Sequence, residues 1–195
     1  MSVEHAATPF RSAFGAGSFH VFSWGEHEED NVLVLVAGPP SSRPLVRVQS
    51  ACYTAEIFRS TDCDCHEQLE RSLERVHQEG GAVVYMLCDG RGAGLLTKVR
   101  GLALADDGYD TADAYAHLGV ELDPRNYDRV AYCLHALGLS DVRLLTNNPR
   151  KLDGLEAAGV KVEREPLEIP ATAESQPYLR TKKDKMGHLL ELRDD

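Results

Sequence analysis

The sequence predicts a mixed α/β fold, of the α+β or α/β class, in which a strand-rich N-terminal part precedes alternating helices and strands. Apolar and β-branched runs, broken by a Gly-Pro-Pro turn at residues 38–40, fill the first third of the chain. Leu69, Leu73 and Val76 then recur at the spacing of an amphipathic helix. Nearer the C-terminus, two short apolar runs flank a segment with helix-start residues, which is typical of a parallel strand, helix, strand unit.

The elements of the first half follow from these patterns. The first dozen residues are expected to be poorly ordered, as chain termini commonly are. The first helix is expected from Cys65 to about residue 78, with Asp64 placed as its N-cap and Glu67 as the capping-box partner. The other elements predicted in this half are strands at residues 18–23, 31–36, 44–48 and 82–87, a glycine-rich loop at 89–94, and helices at 95–105 and 110–118.

Two later helices have clear start signals. Asp123-Pro124 and Asn148-Pro149 each place an N-cap residue before a proline at the first helical position. The glycines at 138 and 159 are the predicted ends of these helices. The remaining predicted elements are strands at residues 142–145 and 160–163 and a last helix at 178–192. Residues 1–195 are predicted to form a single domain with short flexible ends.

Composition excludes several classes of function. The chain has 195 residues and a net charge of −10, which argues against binding to nucleic acid or to an anionic membrane, because both require a positive surface. No apolar run approaches the roughly 18 residues of a membrane span, and the first residues do not resemble a signal peptide. We therefore expect a cytoplasmic protein. Its five cysteines are an odd number at irregular spacing, which favours metal binding or catalysis over disulfides.

Three of these cysteines form a candidate metal site. Cys52, Cys63 and Cys65 lie within fourteen residues of chain, around the predicted start of a helix. Zinc accepts three protein ligands and a water in catalytic sites, and four protein ligands in structural sites. Three thiolates favour the open arrangement. The alternative is a closed structural site whose fourth ligand is one of three other residues, namely His66, Cys88 or Cys133.

The chain resembles GTP cyclohydrolase II over about residues 15–190. The resemblance rests on many short motifs in a shared order rather than on one. In this sequence they are R47-V-Q-S-A-C52, R59-S-T-D-C-D-C65 with Gln68, G90-R91, G94-L-L-x-K98-x-R100, D107-G-Y-D-T111, L145-T-N-N-P149 with Lys151, and T181-K-x-x-K-M-G-H188. A GTP cyclohydrolase II-like fold is therefore expected.

The resemblance implies a zinc-dependent hydrolase that opens the imidazole ring of GTP, or of a related purine nucleotide, at C8 with loss of pyrophosphate. It also implies a place in riboflavin biosynthesis, a homodimer, one zinc per chain held by Cys52, Cys63 and Cys65, and magnesium with the triphosphate. The expected catalytic residues are Asp123 and Arg125, acting at the α-phosphate. The expected substrate-binding residues are Arg47, Gln49, Ser50, Gln68, Asp89, Gly90, Arg91, Thr111, Thr146 and Lys151.

Taken without the resemblance, four of these residues have simpler interpretations. Asp123 before a proline is a typical N-cap, and Arg125 is a typical solvated helix residue. Thr146 could be a strand end, and Lys151 could be a surface lysine.

Departures from the family pattern concentrate near the metal and the base. Gln49 and Ala51 replace a histidine and a glutamate of the family, and Leu102 replaces a tyrosine with a catalytic role. Asp89 replaces a glutamate, yet a carboxylate there can still accept hydrogen bonds from N1 and the amino group of guanine. These changes predict that the ring is opened but that the product keeps its formyl group. The alternative is a nucleotide-binding regulatory homologue without turnover.

Overall fold

The computed structural model describes residues 2–25 and 27–191 of the chain. In these residues the strands are β1 (Glu4–Ser12), β2 (Gly15–Ser23), β3 (Val32–Ala37), β4 (Leu45–Ser50), β5 (Gly81–Met86), β6 (Asp141–Leu145) and β7 (Lys161–Glu165). The α-helices are α1 (Tyr53–Glu56), α2 (Cys65–Glu79), α3 (Leu95–Ala103), α4 (Thr111–His117), α5 (Asp128–Ala136), α6 (Pro149–Ala157) and α7 (Gln176–Met186). Strands come first and helices alternate with strands afterwards, which confirms the predicted fold class.

All seven strands belong to one mixed sheet, in the order β1, β2, β3, β5, β4, β6, β7. β1, β2, β3 and β5 are antiparallel neighbours. β4, β6 and β7 are parallel neighbours, and α6 connects β6 to β7 as the predicted strand, helix, strand unit requires. The carboxyl ends of β4 and β6 therefore lie at the same edge of the sheet.

The chain divides into two compact units built from interleaved segments. We call the first the sheet unit; it comprises the residues up to Gln49 together with Leu69–Leu87 and Asn126–Leu167. We call the second the pocket unit; it comprises Ser50–Gln68, Cys88–Arg125 and the residues from Glu168 onward.

The sheet unit has a conventional apolar core. Val34, Val46, Val84 and Leu144, from four neighbouring strands, are fully buried and belong to one cluster with residues of α5 and α6. Val76 of α2 belongs to a second cluster. Burial of β-branched and aliphatic side chains on a sheet is the main source of stability expected for this unit.

The pocket unit consists mainly of short helices. Asp110 caps α4, because its carboxylate accepts hydrogen bonds from the backbone N–H groups of Ala112 and Asp113. Lys185 of α7 forms ion pairs with Asp110 and Asp113, which ties α7 to the start of α4. In the described part of the chain, no helix has the length and hydropathy that a membrane span needs.

Several predicted boundaries need correction. The first residues are ordered rather than loose, because Glu4–Ser12 form β1 and pair with β2 along the whole strand. Asp123 does not begin a helix, since α5 starts only at Asp128. The start at Asn148 is confirmed, because its side chain accepts a hydrogen bond from the N–H of Arg150. The last helix ends at Met186, and position 192 of that prediction lies outside the described residues.

Candidate functional site

The three predicted metal ligands lie together in the pocket unit. Cys52 follows β4 directly, while Cys63 and Cys65 stand at the start of α2. The Sγ atoms of Cys52 and Cys63 are 3.8 Å apart, and all three Sγ atoms lie within 4.8 Å of one another. Tetrahedral zinc with Zn–S bonds of about 2.3 Å places its sulfur ligands roughly 3.8 Å apart. The donor set therefore fits zinc.

The geometry of this group matches an open site. Among residues 2–25 and 27–191, no fourth His, Cys, Asp or Glu joins the three cysteines within that distance. Cys133, one candidate for a closed site, lies in α5 of the sheet unit and is buried in the apolar core there. A metal held by the three thiolates would retain a position for water or substrate.

Lys98 of α3 adds a positive charge beside the cysteines. Its Nζ lies 3.1 Å from Sγ of Cys52 and 2.9 Å from the carboxylate of Asp89. Hydrogen bonds from Cys63 and Cys65, together with the charge of Lys98, hold the pKa of Cys52 far below its usual range. The hydrogen bond to Cys52 raises the pKa of Cys63 to about 11. Lys98 is thus placed to balance negative charge on the cysteine group.

Asp89 begins the glycine-rich loop that follows β5. Its side chain accepts hydrogen bonds from the backbone N–H groups of Gly90 and Tyr53 and forms the ion pair with Lys98. Gly90 has φ of 58°, and a Cβ there would lie 3.3 Å from both Lys98 Cβ and the Tyr115 hydroxyl. Glycine therefore favours this close approach of the loop to α3 and α4, since any other residue would be strained by the positive φ and crowded by these neighbours.

Arg91 follows in the same loop, also with positive φ, at 56°. Its guanidinium carbon lies 5.6 Å from the ring centroids of both Tyr115 and Tyr178. The Nη1 atom is buried, and the described residues offer it no hydrogen-bond partner. A strained backbone and an unsatisfied buried donor are both features that functional sites tend to retain.

Asp123 and Arg125 form a preassembled ion pair in the segment before α5. Arg125 donates from Nε and Nη2 to the two carboxylate oxygens of Asp123, at 2.7 and 2.6 Å. Its Nη1 donates to Ser50 Oγ at 3.0 Å. The Asp123 and Arg125 side chains are only 3% and 9% exposed. This excludes both simple interpretations, because Asp123 is not a helix cap and Arg125 is not solvated.

A second buried ion pair holds the loop between the cysteines. Asp64 lies between Cys63 and Cys65, and its carboxylate accepts a hydrogen bond from Lys182 Nζ of α7 at 3.0 Å and another from the amide of Gln68. Lys182 also lies 4.3 Å from the ring centroid of Tyr178. Burial tends to raise the pKa of Asp64, but the charge of Lys182 and the hydrogen bonds from Lys182 and Gln68 together lower it.

Four predicted site residues belong to the sheet unit. Arg47 of β4 donates to the Gln49 side chain and to the carbonyl of Leu145. Thr146 directly follows β6 and is buried. Lys151 of α6 is also buried and donates from Nζ to the carbonyl of Val48 at 2.7 Å, so it is not a surface lysine.

The pocket unit contains a cleft of about 490 Å³, a size typical of ligand sites. Its lining includes the three cysteines and six other predicted site residues, namely Ser50, Asp89, Gly90, Arg91, Thr111 and Arg125. Asp123 and Gln68 do not line the cleft but bind residues of the same unit, Arg125 and Asp64. The cleft therefore combines a soft-metal donor set with two arginines and a lysine, which suits an anionic substrate undergoing metal-assisted hydrolysis.

Sequence reasoning missed four residues that line this cleft, namely Lys98, Tyr109, Tyr115 and Tyr178. The position of Lys98 within the motif G94-L-L-x-K98 was the available signal for it. Tyr109 stands in the motif D107-G-Y-D-T111, which was a signal of the same kind. Tyr115 and Tyr178 had none, because an aromatic residue in a helix is most often part of a core. Burial raises the pKa of the Tyr115 and Tyr178 hydroxyls.

Comparisons with known proteins identify a matching family and several relatives. The family model described as GTP cyclohydrolase II matches residues 4–166. The riboflavin biosynthesis protein RibBA of Bacillus cereus strain AH187 is 44% identical over 181 residues, covering 90% of this chain and 46% of that protein. RibBA of Staphylococcus epidermidis strain ATCC 12228 is 40% identical over 176 residues, covering 89% and 45%. The chain spans about half the length of the curated relatives it matches.

Among solved structures, RibBX, described as a two-domain 3,4-dihydroxy-2-butanone 4-phosphate synthase from A. baumannii, matches 88% of this chain and 37% of its own. The sequence identity is 16% and the TM-score is 0.41, too low to support an argument about the fold.

Proposed function

This chain belongs to the GTP cyclohydrolase II family, and from that premise we propose that it hydrolyses GTP or a related purine nucleotide, opening the imidazole ring at C8 with loss of pyrophosphate. The observation that carries the proposal is one cleft lined by three clustered thiols and by Arg125, which is already paired with Asp123. The homologous RibBA proteins are named for riboflavin biosynthesis, and we propose the same pathway here.

Cys52, Cys63 and Cys65 would hold one zinc ion per chain. When bound, zinc supplies a Lewis acid that brings the pKa of a coordinated water toward neutrality. Lys98 balances the negative charge of the thiolates on the α3 side. Asp64, fixed by Lys182 and Gln68, holds the loop that presents Cys63 and Cys65.

Arg125 and Asp123 would carry the step at the α-phosphate. An arginine is ordinarily protonated, so a nucleophilic role requires a base in direct contact, and Asp123 meets that requirement through two hydrogen bonds. In the proposed step a guanidinium nitrogen forms a bond to the α-phosphorus, pyrophosphate leaves with its bridging oxygen, and Asp123 takes the displaced proton. Water then cleaves the nitrogen–phosphorus bond and returns the nucleotide as a monophosphate.

The other predicted residues would bind the nucleotide. Cationic and hydroxyl groups suit phosphate oxygens, and the N-terminus of α6 beside Thr146 offers backbone N–H groups. In the pocket unit the residues proposed for these contacts are Ser50, Gln68, Gly90, Arg91 and Thr111. Arg47, Gln49, Thr146 and Lys151 of the sheet unit are proposed as substrate-binding residues from the family resemblance alone. Magnesium would accompany the triphosphate. The family resemblance also leads us to propose a homodimer, and light scattering of the purified protein can test it.

We further propose that the product keeps its formyl group. Releasing formate requires a second hydrolysis, at a formamide C–N bond whose nitrogen leaves poorly without an acid. Leu102, in place of the family's tyrosine, lines the cleft and is 43% exposed, and it can neither donate a hydrogen bond nor move a proton. Ala51 also lines the cleft and is equally inert. The Tyr115 hydroxyl is already engaged, since it donates to the Gly90 carbonyl.

The test is incubation of the zinc-loaded protein with magnesium and GTP labelled with ¹³C at C8. We expect pyrophosphate and a labelled formamidopyrimidine nucleotide by mass spectrometry and NMR. Free labelled formate at the rate of pyrophosphate release would refute formyl retention while supporting ring opening. Tight nucleotide binding with no pyrophosphate at all would instead identify a regulatory homologue without turnover.

A further inference from the structure

Asp89 has little hydrogen-bonding capacity left for a substrate. One carboxylate oxygen accepts from the Gly90 N–H and lies 2.9 Å from Lys98 Nζ, and the other accepts from the Tyr53 N–H at 2.8 Å. Only 2% of its side chain is exposed. Guanine pairs N1–H and its amino group with the two oxygens of one carboxylate, and one oxygen of Asp89 already has two partners. Such a base would have to break the ion pair with Lys98 or displace a backbone donor, each at a cost.

Asp89 therefore has the environment of a brace, by which we mean a buried side chain that holds neighbouring segments in place. Its three partners come from α1, from its own loop and from α3. Lys98 in turn contacts Cys52, so Asp89 helps to fix the cationic side chain beside the cysteine group. The shorter side chain of aspartate, compared with glutamate, keeps the carboxylate inside this arrangement rather than extended into the cleft.

The other carboxylates that line the cleft do not replace it. Asp110 accepts from two backbone N–H groups of α4 and pairs with Lys185. Asp62 and Glu174 are exposed to solvent, where water competes for their hydrogen bonds. Strong rejection of a substrate that lacks a hydrogen-bonding group requires a buried protein group that would be left unpaired. In the described lining of the cleft, no buried carboxylate has both oxygens open to a base.

Among the described residues of this loop, the buried side-chain atom that lacks a hydrogen-bond partner is a donor. Nη1 of Arg91 has no hydrogen-bond partner among the described residues, and its guanidinium is held between Tyr115 and Tyr178. Such a donor calls for an oxygen acceptor on the ligand. The 6-oxo group of the base and the phosphate oxygens are such acceptors, and guanosine and inosine triphosphates have both in common.

From these observations we propose that Asp89 is a positioning residue and that the cleft binds 6-oxopurine nucleotides without reading the 2-amino group. The inference rests on the proposed function and extends its substrate class to inosine triphosphate. A hydrogen bond from the amino group to a charged acceptor would contribute about 1.5–3 kcal/mol, or roughly 10–150-fold in discrimination.

The first measurement compares kcat/KM for GTP and inosine triphosphate by pyrophosphate release, together with the dissociation constants of both by calorimetry. We expect less than tenfold preference for GTP in each. A tenfold or larger preference in either quantity would overturn the proposal. Equal binding without turnover of either nucleotide would support it while refuting the proposed hydrolysis, and failure of both to bind would overturn both ideas.

The second measurement examines the brace without nucleotide. Asp89→Asn should lower the melting temperature, because the ammonium group of Lys98 then has no carboxylate to pair with at this buried position. Asp62→Asn makes the same chemical change at an exposed position of the same cleft and should leave the melting temperature within about one degree. Equal melting temperatures for the two variants would overturn the brace. The proposal would also be overturned if the unchanged protein preferred GTP over inosine triphosphate and Asp89→Asn abolished that preference.

Discussion

Replacing Lys182 by methionine tests what holds the cysteine loop in place. The change removes the charge and keeps a side chain of similar length, so Asp64 is left buried without its cation. In the structure the Lys182 and Asp64 side chains are 10% and 4% exposed, with Nζ 3.0 Å from the carboxylate. Breaking one partner of such a buried pair typically costs about 3–5 kcal/mol. For a chain of this size that corresponds to a fall of about 6–20 °C in melting temperature.

The matched control is Lys185→Met on the same helix. Lys185 pairs with Asp110 and Asp113, but its side chain is 41% exposed and water screens the interaction. We expect a much smaller fall in melting temperature for this variant. Its ion pairs are as close as that of Lys182, so burial is the property that separates the two substitutions.

A second readout separates positioning of the metal ligands from general stability. Asp64 lies between Cys63 and Cys65, so its release should weaken zinc binding by about 10–100-fold, as loss of a group that orients metal ligands typically does. Zinc affinity is measured by competition with a chromophoric chelator below the melting temperature of each variant. Similar melting temperatures and zinc affinities for Lys182→Met and Lys185→Met would refute this reasoning.

Three further predictions concern metal, phosphate and base. Cys63→Ser should lose stoichiometric zinc in metal analysis, whereas Cys88→Ser, outside the cysteine group, should keep it. Arg125→Ala should abolish pyrophosphate release; a raised KM with unchanged kcat would instead indicate simple phosphate binding. Leu102→Tyr should restore formate release measured with ¹³C-labelled GTP, by up to about 10²-fold or more if the tyrosine acts as an acid. Val99→Tyr, on the same helix but outside the lining of the cleft, should not.

The helices and strands that bury a face were predictable because burial leaves a period in the sequence. The helix at Cys65–Glu79 and the strand at Gly81–Met86 differ from their predicted bounds by a residue or so. β1 could not be predicted in this way, because eight of its nine residues are exposed and its sequence has no apolar alternation. Pairing with β2 over the whole strand, and not burial, defines it.

The cysteine cluster was also predictable, since ligands that are close in sequence and near a helix start have few ways to lie apart. The environment of Asp89 was not. Its partners, Tyr53 and Lys98, are separated from it by 36 and 9 positions and come from two different helices. Local sequence shows a carboxylate beside glycine, which is compatible with a free ligand group or a buried brace. Only the tertiary contacts distinguish them.

Asp123-Pro124-Arg125 and Asn148-Pro149-Arg150 show why one helix start was right and the other wrong. In both triplets the first side chain accepts a hydrogen bond from the N–H of the arginine two residues later. The amide of Asn148 has one acceptor oxygen, and α6 follows at once. The carboxylate of Asp123 has two oxygens and a charge, so it also binds the Arg125 guanidinium through two hydrogen bonds. That pair accompanies a non-helical segment up to Asp128. Since the carboxylate of Asp110 does cap a helix, the contact with the guanidinium, and not the carboxylate by itself, separates Asp123 from a cap.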